Sequence, residues 1–198
     1  HAVLSAYDLK SMPTLEQFQN FVKNLNEPDK SVFLITHIGG WINPEIKEIS
    51  EYCEKLGITL VEDCAHSLGS TLDDKHSGLF GFAGVYSLYA TKAIPAGEGG
   101  LIVTNNEKTH NELKKYSIYD RFEQKLDLGV NIRMSEINAL MSYSVCKEIN
   151  RIIENKYQIA YKYITCCDKF GWDFIHPTSV GQRSNLYKFI LKTNKAEP

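Results

Sequence analysis

An alternation of short apolar runs with an amphipathic segment restricts the possible folds of this chain more than any other feature. Residues 31–36 and 58–62 are apolar runs rich in residues that favour β-structure. Between them, Asn43 and Pro44 form a helix start, and apolar residues recur at intervals of three and four until Gly57 stops the helix. A strand, a helix and a strand within about 30 residues predict a βαβ unit. We therefore expect an α/β fold with a parallel sheet whose first strand is covered on both faces.

The rest of the chain continues this pattern and predicts a second, smaller unit. The further predicted elements are a helix beginning with a Thr14–Gln17 capping box, strands at 85–89 and 101–104, a helix at 108–116, and strands at 172–175 and 186–191. From Ser135, a good N-cap, apolar residues keep a helical spacing to about Asp168, which predicts one long helix. We therefore predict part of a large domain over residues 1–134, a connecting helix over 135–168, and the start of a small domain over 169–198.

Composition and charge exclude several classes of protein. The 198 residues include 22 lysines and arginines and 24 acidic residues, a net charge of −2, which argues against a nucleic-acid-binding surface. The longest uncharged stretch in the apolar middle, residues 77–91, is shorter than the ~20 apolar residues that a membrane crossing needs. Five cysteines, an odd number at spacings that match no zinc site, indicate reduced thiols. The expected location is the cytoplasm.

Two polar residues stand where predicted strands end, which is the edge at which open α/β sheets bind ligands. Asp63 stands at the end of the second strand of the βαβ unit, Lys92 follows the next strand, and Ser87 precedes Lys92 by five residues. Taken singly, a turn aspartate and a solvated strand-end lysine are the commoner explanations. Together they form the set that pyridoxal phosphate (PLP) requires: a lysine for the Schiff base, a carboxylate for the pyridine nitrogen and a hydroxyl for the phosphate. The residues around Lys92 carry few charges, so its amine is expected to be partly desolvated and nucleophilic.

Four ordered segments carry a family resemblance. They are Val-Glu-Asp-Cys-Ala-His-Ser-Leu-Gly at 61–69, Gly-Val-Tyr-Ser-Leu-Tyr-Ala-Thr-Lys at 84–92, Gly-Glu-Gly-Gly-Leu-Ile-Val-Thr at 97–104, and Gly-Val-Asn-Ile-Arg-Met-Ser-Glu at 129–136. In order and spacing they resemble the DegT/StrS group of sugar-nucleotide aminotransferases, within the fold-type I PLP enzymes. This resemblance implies a three-layer α/β large domain, incomplete at its N-terminus, and part of a small α+β C-terminal domain.

The resemblance also implies roles for individual residues. Lys92 matches the lysine that bonds to PLP, Asp63 the partner of the pyridine nitrogen, and Ser87 a phosphate contact. His66 matches a position close to the cofactor ring. Asn131 matches an asparagine that reaches the cofactor phosphate of the neighbouring subunit, which implies a homodimer with shared sites. No metal ion is implied.

The implied reaction is transfer of an amino group, from glutamate, to a keto sugar carried on a nucleotide. Two alternatives stay open. Some relatives are PLP-dependent sugar dehydratases in which a histidine replaces the lysine, and Lys92 disfavours that interpretation. The chain could also be a noncatalytic paralogue or an interaction module that kept the fold. Family members are substantially longer, so a phosphate-binding N-terminal loop and the end of the small domain are expected to be absent from this chain.

Overall fold

The computed structural model of the chain describes residues 12–117 and 130–192. Gly129 of the fourth motif lies outside these ranges, as do the two ends of the predicted domains at 1–11 and 193–198. Within the described ranges the strands are β1 (Val32–Thr36), β2 (Thr59–Asp63), β3 (Thr71–Leu72), β4 (Lys75–His76), β5 (Ala83–Ser87), β6 (Gly100–Val103), β7 (Thr178–Ser179) and β8 (Gln182–Arg183). The α-helices are α1 (Leu15–Val22), α2 (Ile46–Leu56), α3 (Glu107–Ser117), α4 (Glu136–Cys146) and α5 (Ile149–Phe170).

The predicted βαβ unit is confirmed as β1, α2 and β2. These two strands are parallel, with register from Val32 opposite Thr59 to Thr36 opposite Asp63. The main sheet has the order β1-β2-β5-β6, in which β5 is parallel to β2 and β6 runs antiparallel to β5. The carboxyl ends of β1, β2 and β5 therefore meet at one edge of the sheet.

The predicted helix ends are close to those observed. The Thr14 hydroxyl accepts the Gln17 N–H at 3.2 Å and the Gln17 side chain accepts the Thr14 N–H at 2.9 Å, so the capping box forms as predicted. Helix α2 begins at Ile46, a few residues after the predicted start, because Asn43 forms a turn instead and accepts the Glu45 N–H at 2.8 Å. Gly57 ends α2 with a positive φ of 72°, a conformation that favours glycine.

Helices α1 and α2 cover one face of the main sheet. Phe18 of α1 stacks on Phe33 of β1 with ring centroids 4.2 Å apart, and Ile35 is buried beneath both helices. On the opposite face Val32 and Leu34 are 67% and 60% exposed. The prediction that β1 is covered on both faces was wrong for the described residues, because their helices lie on one side of this strand.

The predicted long helix from Ser135 to Asp168 is divided in two. Ser135 caps α4 as expected and accepts the Asn138 N–H at 3.2 Å, but α4 ends at Cys146 and α5 begins at Ile149. Val145 and Ile149 pack against the same small apolar cluster from either side of the break. Because they are four residues apart, the helical spacing continues across the break, and the sequence pattern does not reveal it. None of the helices within the described ranges combines the length and apolar character needed to cross a membrane.

The C-terminal segment packs on the residues that follow β2. β8 pairs with β3, which gives a second, antiparallel sheet of order β4-β3-β8-β7. The strands predicted at 172–175 and 186–191 were wrong, since a single bridge between Phe174 and Leu191 joins these segments. The four strands of the second sheet are each two residues long, too short for a periodic pattern to appear in the sequence. The division into domains remains a prediction.

Glu62 is the most heavily hydrogen-bonded buried side chain of the main sheet. Its carboxylate accepts the N–H groups of Gly78, Phe80 and Gly81 at 2.6 to 2.7 Å and lies 2.9 Å from His37 Nε2. Nδ1 of His37 accepts the N–H of Asn43 at 3.2 Å, so the imidazole proton is placed on Nε2, facing Glu62. Both side chains of this pair are fully buried. The carboxylate thus joins β1, β2 and the loop at 77–81.

We expect Glu62→Gln to lower the free energy of unfolding by about 3 kcal/mol or more, because the amide places N–H groups against backbone donors and leaves buried groups unpaired. Urea denaturation measures the loss. Glu51→Gln, an exposed change on α2, is the control and should leave the unfolding midpoint unchanged. Equal midpoints for the two variants would contradict this account of Glu62.

Candidate active site

The parallel register brings Asp63 and Ser87 to one face at one edge of the main sheet. Asp63 is opposite Thr36 on β1 and opposite Val85 on β5. Ser87 lies two residues beyond Val85, so its side chain is on the same face as that of Asp63. Thr36 and Asp63 are 27 positions apart along the chain, and Asp63 and Ser87 are 24 apart, yet the register makes them neighbours across adjacent strands. The predicted grouping of Asp63 and Ser87 follows from this register.

The Asp63 carboxylate is held by its own chain and remains half-buried. Oδ1 accepts the Ala65 N–H at 3.0 Å, and Oδ2 lies 3.4 Å from the Thr36 hydroxyl. Sequence reasoning missed Thr36, although its place at the end of the preceding strand could have indicated it. A carboxylate offers about four acceptor positions, so Asp63 keeps acceptor capacity for a ligand N–H.

Lys92 is presented by a compact loop between β5 and β6. Backbone hydrogen bonds close the loop, with the N–H of Leu88 donating to Gly99 O at 2.9 Å and the N–H of Ala96 donating to Leu88 O at 2.7 Å. Leu88, Ile94 and Ala96 are buried in a small apolar cluster. This cluster anchors the loop from inside and leaves the Lys92 side chain half-buried at its outer turn.

Gly99 is required where this loop returns to β6. Its φ is 142°, and a Cβ atom there would lie 2.5 Å from the sulfur of Met134. β6 follows this turn directly and pairs with β5 from Ser87 opposite Gly100. Ser87 Oγ accepts the Tyr89 N–H at 3.3 Å, which leaves its own O–H to be donated.

His66 lies within electrostatic reach of both Lys92 and Asp63. Burial lowers the pKa of His66 first, the positive charge of Lys92 lowers it further, and the negative charge of Asp63 opposes both. The Gly39 N–H donates to His66 Nδ1 at 3.3 Å, which favours the neutral ring with its proton on Nε2. The structure therefore brings together Asp63, His66 and Lys92 around a neutral imidazole.

Tyr187 of the C-terminal segment joins this group and was missed by the sequence analysis. Its ring stacks on His66, with centroids 4.4 Å apart and an interplanar angle of 29°. Lys92 Nζ lies 5.0 Å from the centroid of the same ring. No motif in the sequence links residue 187 to this sheet edge, because the contact depends on how the C-terminal segment packs.

Asn131 is not brought to this group by the contacts of the described residues. It is exposed, and its side-chain oxygen accepts the Arg133 Nε–H at 3.1 Å. The segment is held by backbone bonds to the end of α3, from Val130 to Tyr116 at 3.1 Å and from Ile132 to Ser117 at 3.3 Å. An exposed position agrees with a role toward another subunit, which remains a prediction.

His37, Glu62 and Cys64 place three possible metal-binding atoms within 4.8 Å of one another. The Glu62 carboxylate already accepts three backbone N–H groups and faces the His37 ring. Burial raises the pKa of the Cys64 thiol to about 12, so the sulfur is protonated at neutral pH. Through these hydrogen bonds, Glu62 connects the end of β1 to the loop at 77–81 and has a structural role behind the sheet edge.

The residues at the sheet edge fit PLP by their chemistry. Lys92 supplies a half-buried primary amine, Asp63 a carboxylate with spare acceptor positions, and Ser87 a hydroxyl with its hydrogen available. His66 supplies a flat, neutral aromatic surface beside the amine. These are the groups needed to bond an aldehyde, hold a pyridine nitrogen and contact a phosphate.

Comparison with known proteins identifies the family of the chain. Residues 14–197 match the DegT/DnrJ/EryC1/StrS aminotransferase family, and the chain belongs to this family. A UDP-4-amino-4,6-dideoxy-N-acetyl-beta-L-altrosamine transaminase of Helicobacter pylori is 29% identical over 177 residues, which cover 85% of this chain and 47% of the relative.

Two solved structures share the fold. PseC of Helicobacter pylori, an aminotransferase involved in the biosynthesis of pseudoaminic acid, matches with a TM-score of 0.84 and 23% identity, covering 94% of this chain and 51% of that one. The PLP form of Spr1654 from Streptococcus pneumoniae matches with a TM-score of 0.76 and 16% identity, covering 90% and 52%. The chain spans about half the length of these relatives.

The position of His66 between two opposite charges can be tested through its pKa. We expect the pKa of His66 to lie below 6.5, to rise in Lys92→Met and to fall in Asp63→Asn, because each change removes one charge. Its contribution to stability is then fully present above pH 6.5 and is lost as the pH falls through the lower, folded-state pKa.

Proton NMR titration of the histidine rings measures these shifts, with His66→Gln to assign the resonance. The ring resonances of His76, exposed on β4, provide the internal control and should be the same in all variants. If both substitutions leave the His66 titration unchanged, the proposed grouping of the three side chains is wrong.

Proposed function

We propose, taking membership of this aminotransferase family as the premise, that the chain forms part of a PLP-dependent aminotransferase acting on sugar nucleotides. The proposed reaction moves an amino group from glutamate to a keto sugar carried on a nucleotide. The observation that carries this proposal is the convergence of Asp63, Ser87 and the Lys92 loop at the carboxyl edge of a parallel sheet. The curated Helicobacter pylori relative, named as a transaminase of a UDP-linked amino sugar, supports the substrate class.

Each residue of the group has a proposed task toward the cofactor. PLP, when bound, supplies an electron-withdrawing ring that makes the carbon bearing the transferred amino group more acidic. Lys92 would bond to it and, once released, move a proton to and from that carbon as general base and acid. Asp63 would accept the N–H of the pyridine nitrogen and hold the positive charge there. Ser87 would donate its O–H to the phosphate.

His66 is proposed to face the cofactor as a neutral ring. Because the pKa of His66 is lowered, the ring adds no second positive charge beside the Lys92 amine. The Lys92 amine therefore does not compete with a His66 imidazolium for the Asp63 carboxylate. The Gly39 N–H at 3.3 Å from Nδ1 fixes the ring orientation, so Nε2 carries the proton that a cofactor oxygen could accept. A neutral donor at this position orients the cofactor without adding charge.

A homodimer with shared sites is the proposed assembly, and Asn131 is the residue proposed to cross the boundary to the partner's cofactor phosphate. Helix α4 follows Asn131 and exposes large apolar side chains, with Ile137 and Leu140 being 73% and 66% exposed. Apolar patches of this kind are typical of protein interfaces. All five cysteines are free thiols, three of them buried (Cys53, Cys64 and Cys167), which supports a reducing cytoplasmic location.

Amino transfer by the protein that carries this chain tests the function. With PLP, glutamate and a set of nucleotide-linked 4-keto and 3-keto sugars, we expect 2-oxoglutarate and an amino sugar in equal amounts. Lys92→Arg should abolish both products, because a guanidinium does not bond to the aldehyde. Lys147→Arg, a lysine over the ring of Tyr143 and away from the site, is the matched control.

The alternatives predict other products. Loss of water from the sugar without 2-oxoglutarate would favour the dehydratase, and full activity of Lys92→Arg would remove Lys92 from the reaction. No turnover together with no binding of PLP would favour a noncatalytic paralogue.

For Asp63→Asn we expect a folded protein that loses most of its turnover, because a neutral amide cannot hold the pyridine nitrogen protonated. Steady-state kinetics with glutamate measures the loss, and circular dichroism checks the fold. Asp168→Asn on α5 is the control. Near-normal turnover in Asp63→Asn would show that this carboxylate does not serve the cofactor.

If Asn131 acts across a subunit boundary, mixing two inactive variants restores activity. In a mixed dimer of Lys92→Ala and Asn131→Ala subunits, one of the two sites receives both intact residues and the other receives neither. We therefore expect half the sites of each mixed dimer to work, as measured by turnover after subunit exchange. Exchange verified by mass without any recovery would contradict a shared site.

A further inference from the structure

Tyr187 is fixed in place by a set of buried hydrogen bonds made by its neighbour Asn185. The Asn185 side chain is fully buried and donates to the carbonyl oxygens of His66 and Leu68, both at 2.9 Å. The side-chain oxygen Oδ1 accepts the Tyr187 N–H at 2.9 Å. The backbone N–H of Asn185 donates to Ser70 Oγ, also at 2.9 Å. The side-chain amide and the backbone N–H of Asn185 therefore hold the C-terminal segment against the residues that follow β2, and the side-chain oxygen fixes the turn that leads to Tyr187.

Gly39 and Gly40, just after β1, make room for the same segment. A Cβ atom on Gly40 would lie 2.1 Å from Asn185 Oδ1 and 3.0 Å from the Tyr187 nitrogen. The Lys188 N–H donates to Gly39 O at 3.0 Å, so the backbone on the far side of Tyr187 is held as well. Tyr187 is thus supported on both sides by main-chain contacts to the end of the sheet.

The Tyr187 side chain connects two residues that the proposed function uses. One contact is the stack on His66 at 4.4 Å, and the other places Lys92 Nζ 5.0 Å from the ring centroid. An ammonium within about 6 Å of an aromatic face is attracted by the ring. The phenol oxygen is 3.5 Å from Thr91 Oγ1, the residue next to Lys92, which is the outer limit of a hydrogen bond.

Several positive groups surround this phenol. The pKa of Tyr187 is lowered, first by the Thr91 hydrogen bond; burial opposes this shift, and the charges of Lys92 and Lys188 lower the pKa further. Lys156 of α5 is also within reach, since burial lowers the pKa of its amine and the charge of the Tyr187 phenolate opposes that shift. The phenol is therefore within electrostatic reach of positive charges on α5, on the Lys92 loop and on the C-terminal segment itself.

We propose that Tyr187 is a positioning residue of the Lys92 site, whose ring orders the side chains of Lys92 and His66 before the cofactor binds. The proposal rests on the proposed function in taking Lys92 as the residue that bonds to PLP. It assigns a task to the C-terminal segment, because the segment brings one aromatic ring to a site otherwise built from β2 and β5.

Ordering Lys92 in advance favours capture of PLP. In the capture step the Lys92 amine adds to the aldehyde carbon, a C=N bond forms and water leaves, without oxidation or reduction. A lysine side chain loses much rotamer freedom when it is ordered, so a ring that has already restricted it reduces the loss on capture. The lysine nitrogen is positive before the step as an ammonium, and it is positive afterwards when the C=N nitrogen is protonated. The ring attracts a positive nitrogen in both states, so this attraction does not oppose the reaction.

The first measurement needs no cofactor. Protons that face an aromatic ring resonate at higher field, so the His66 ring protons report on the stack directly. We expect Tyr187→Leu to move the His66 resonances to lower field, and Tyr187→Phe, which keeps the ring, to leave them near their original positions. Tyr143→Leu removes another tyrosine under a lysine and is the matched control. Identical His66 resonances in the wild type and Tyr187→Leu would overturn the proposal.

The second measurement is the PLP concentration that half-saturates Lys92, read after borohydride reduces the C=N bond and the Lys92 peptide is quantified. We expect Tyr187→Leu to raise this concentration about tenfold, and Tyr187→Phe to raise it by about threefold or less. Circular dichroism establishes that each variant is folded. An unchanged or lower concentration in a folded Tyr187→Leu variant would overturn the proposal while leaving the proposed function intact.

If the wild type carries no reduced PLP on Lys92, the proposed function fails, and the His66 spectra alone decide whether Tyr187 orders this group.

Discussion

Two adjacent side chains of β2, Glu62 and Asp63, point to opposite faces of the main sheet, and both the packing of the sheet and the position of the candidate site follow from this. Successive residues of a strand point to opposite faces, so β2 sends Glu62 into the helix-covered side and Asp63 to the open side. Glu62 uses its buried carboxylate to hold the loop at 77–81 and His37. That connection fixes β2 against β1 and the approach to β5, and Asp63 is thereby held at the edge. A shift of one residue in the register would exchange these two carboxylates.

The position of Lys92 also depends on a well-packed loop that connects it to β5. The loop between β5 and β6 has its own apolar cluster, so it does not rely on contacts with the lysine to keep its shape. Helix α4 is joined to it where the Asn138 side chain donates to Glu98 O at 3.0 Å. The amine therefore extends from a supported turn next to Asp63 and His66. This arrangement explains why strand ends and one loop are sufficient to group the polar residues.

Much of this could be predicted from sequence, and the remainder could not for identifiable reasons. The βαβ unit, the capping box at Thr14 and the grouping of Asp63 with Ser87 follow from local patterns and strand register. The break between α4 and α5 preserves the apolar spacing, and strands β3, β4, β7 and β8 are too short to give a pattern. Tyr187 depends on the buried side chain of Asn185, more than 100 residues from its partners in the chain. Contacts of that range leave no local signature.

The proposed role of the carboxyl edge of the sheet is to present Lys92 as the lysine that bonds to PLP. The most direct measurement is borohydride reduction of the PLP-loaded protein, followed by proteolysis and mass spectrometry of all lysine-containing peptides. We expect a phosphopyridoxyl group on the peptide that contains Lys92, at a stoichiometry close to one per chain, and background labelling elsewhere. A reduced cofactor found mainly on another lysine, such as Lys156 or Lys188, or spread evenly over surface lysines, would contradict it.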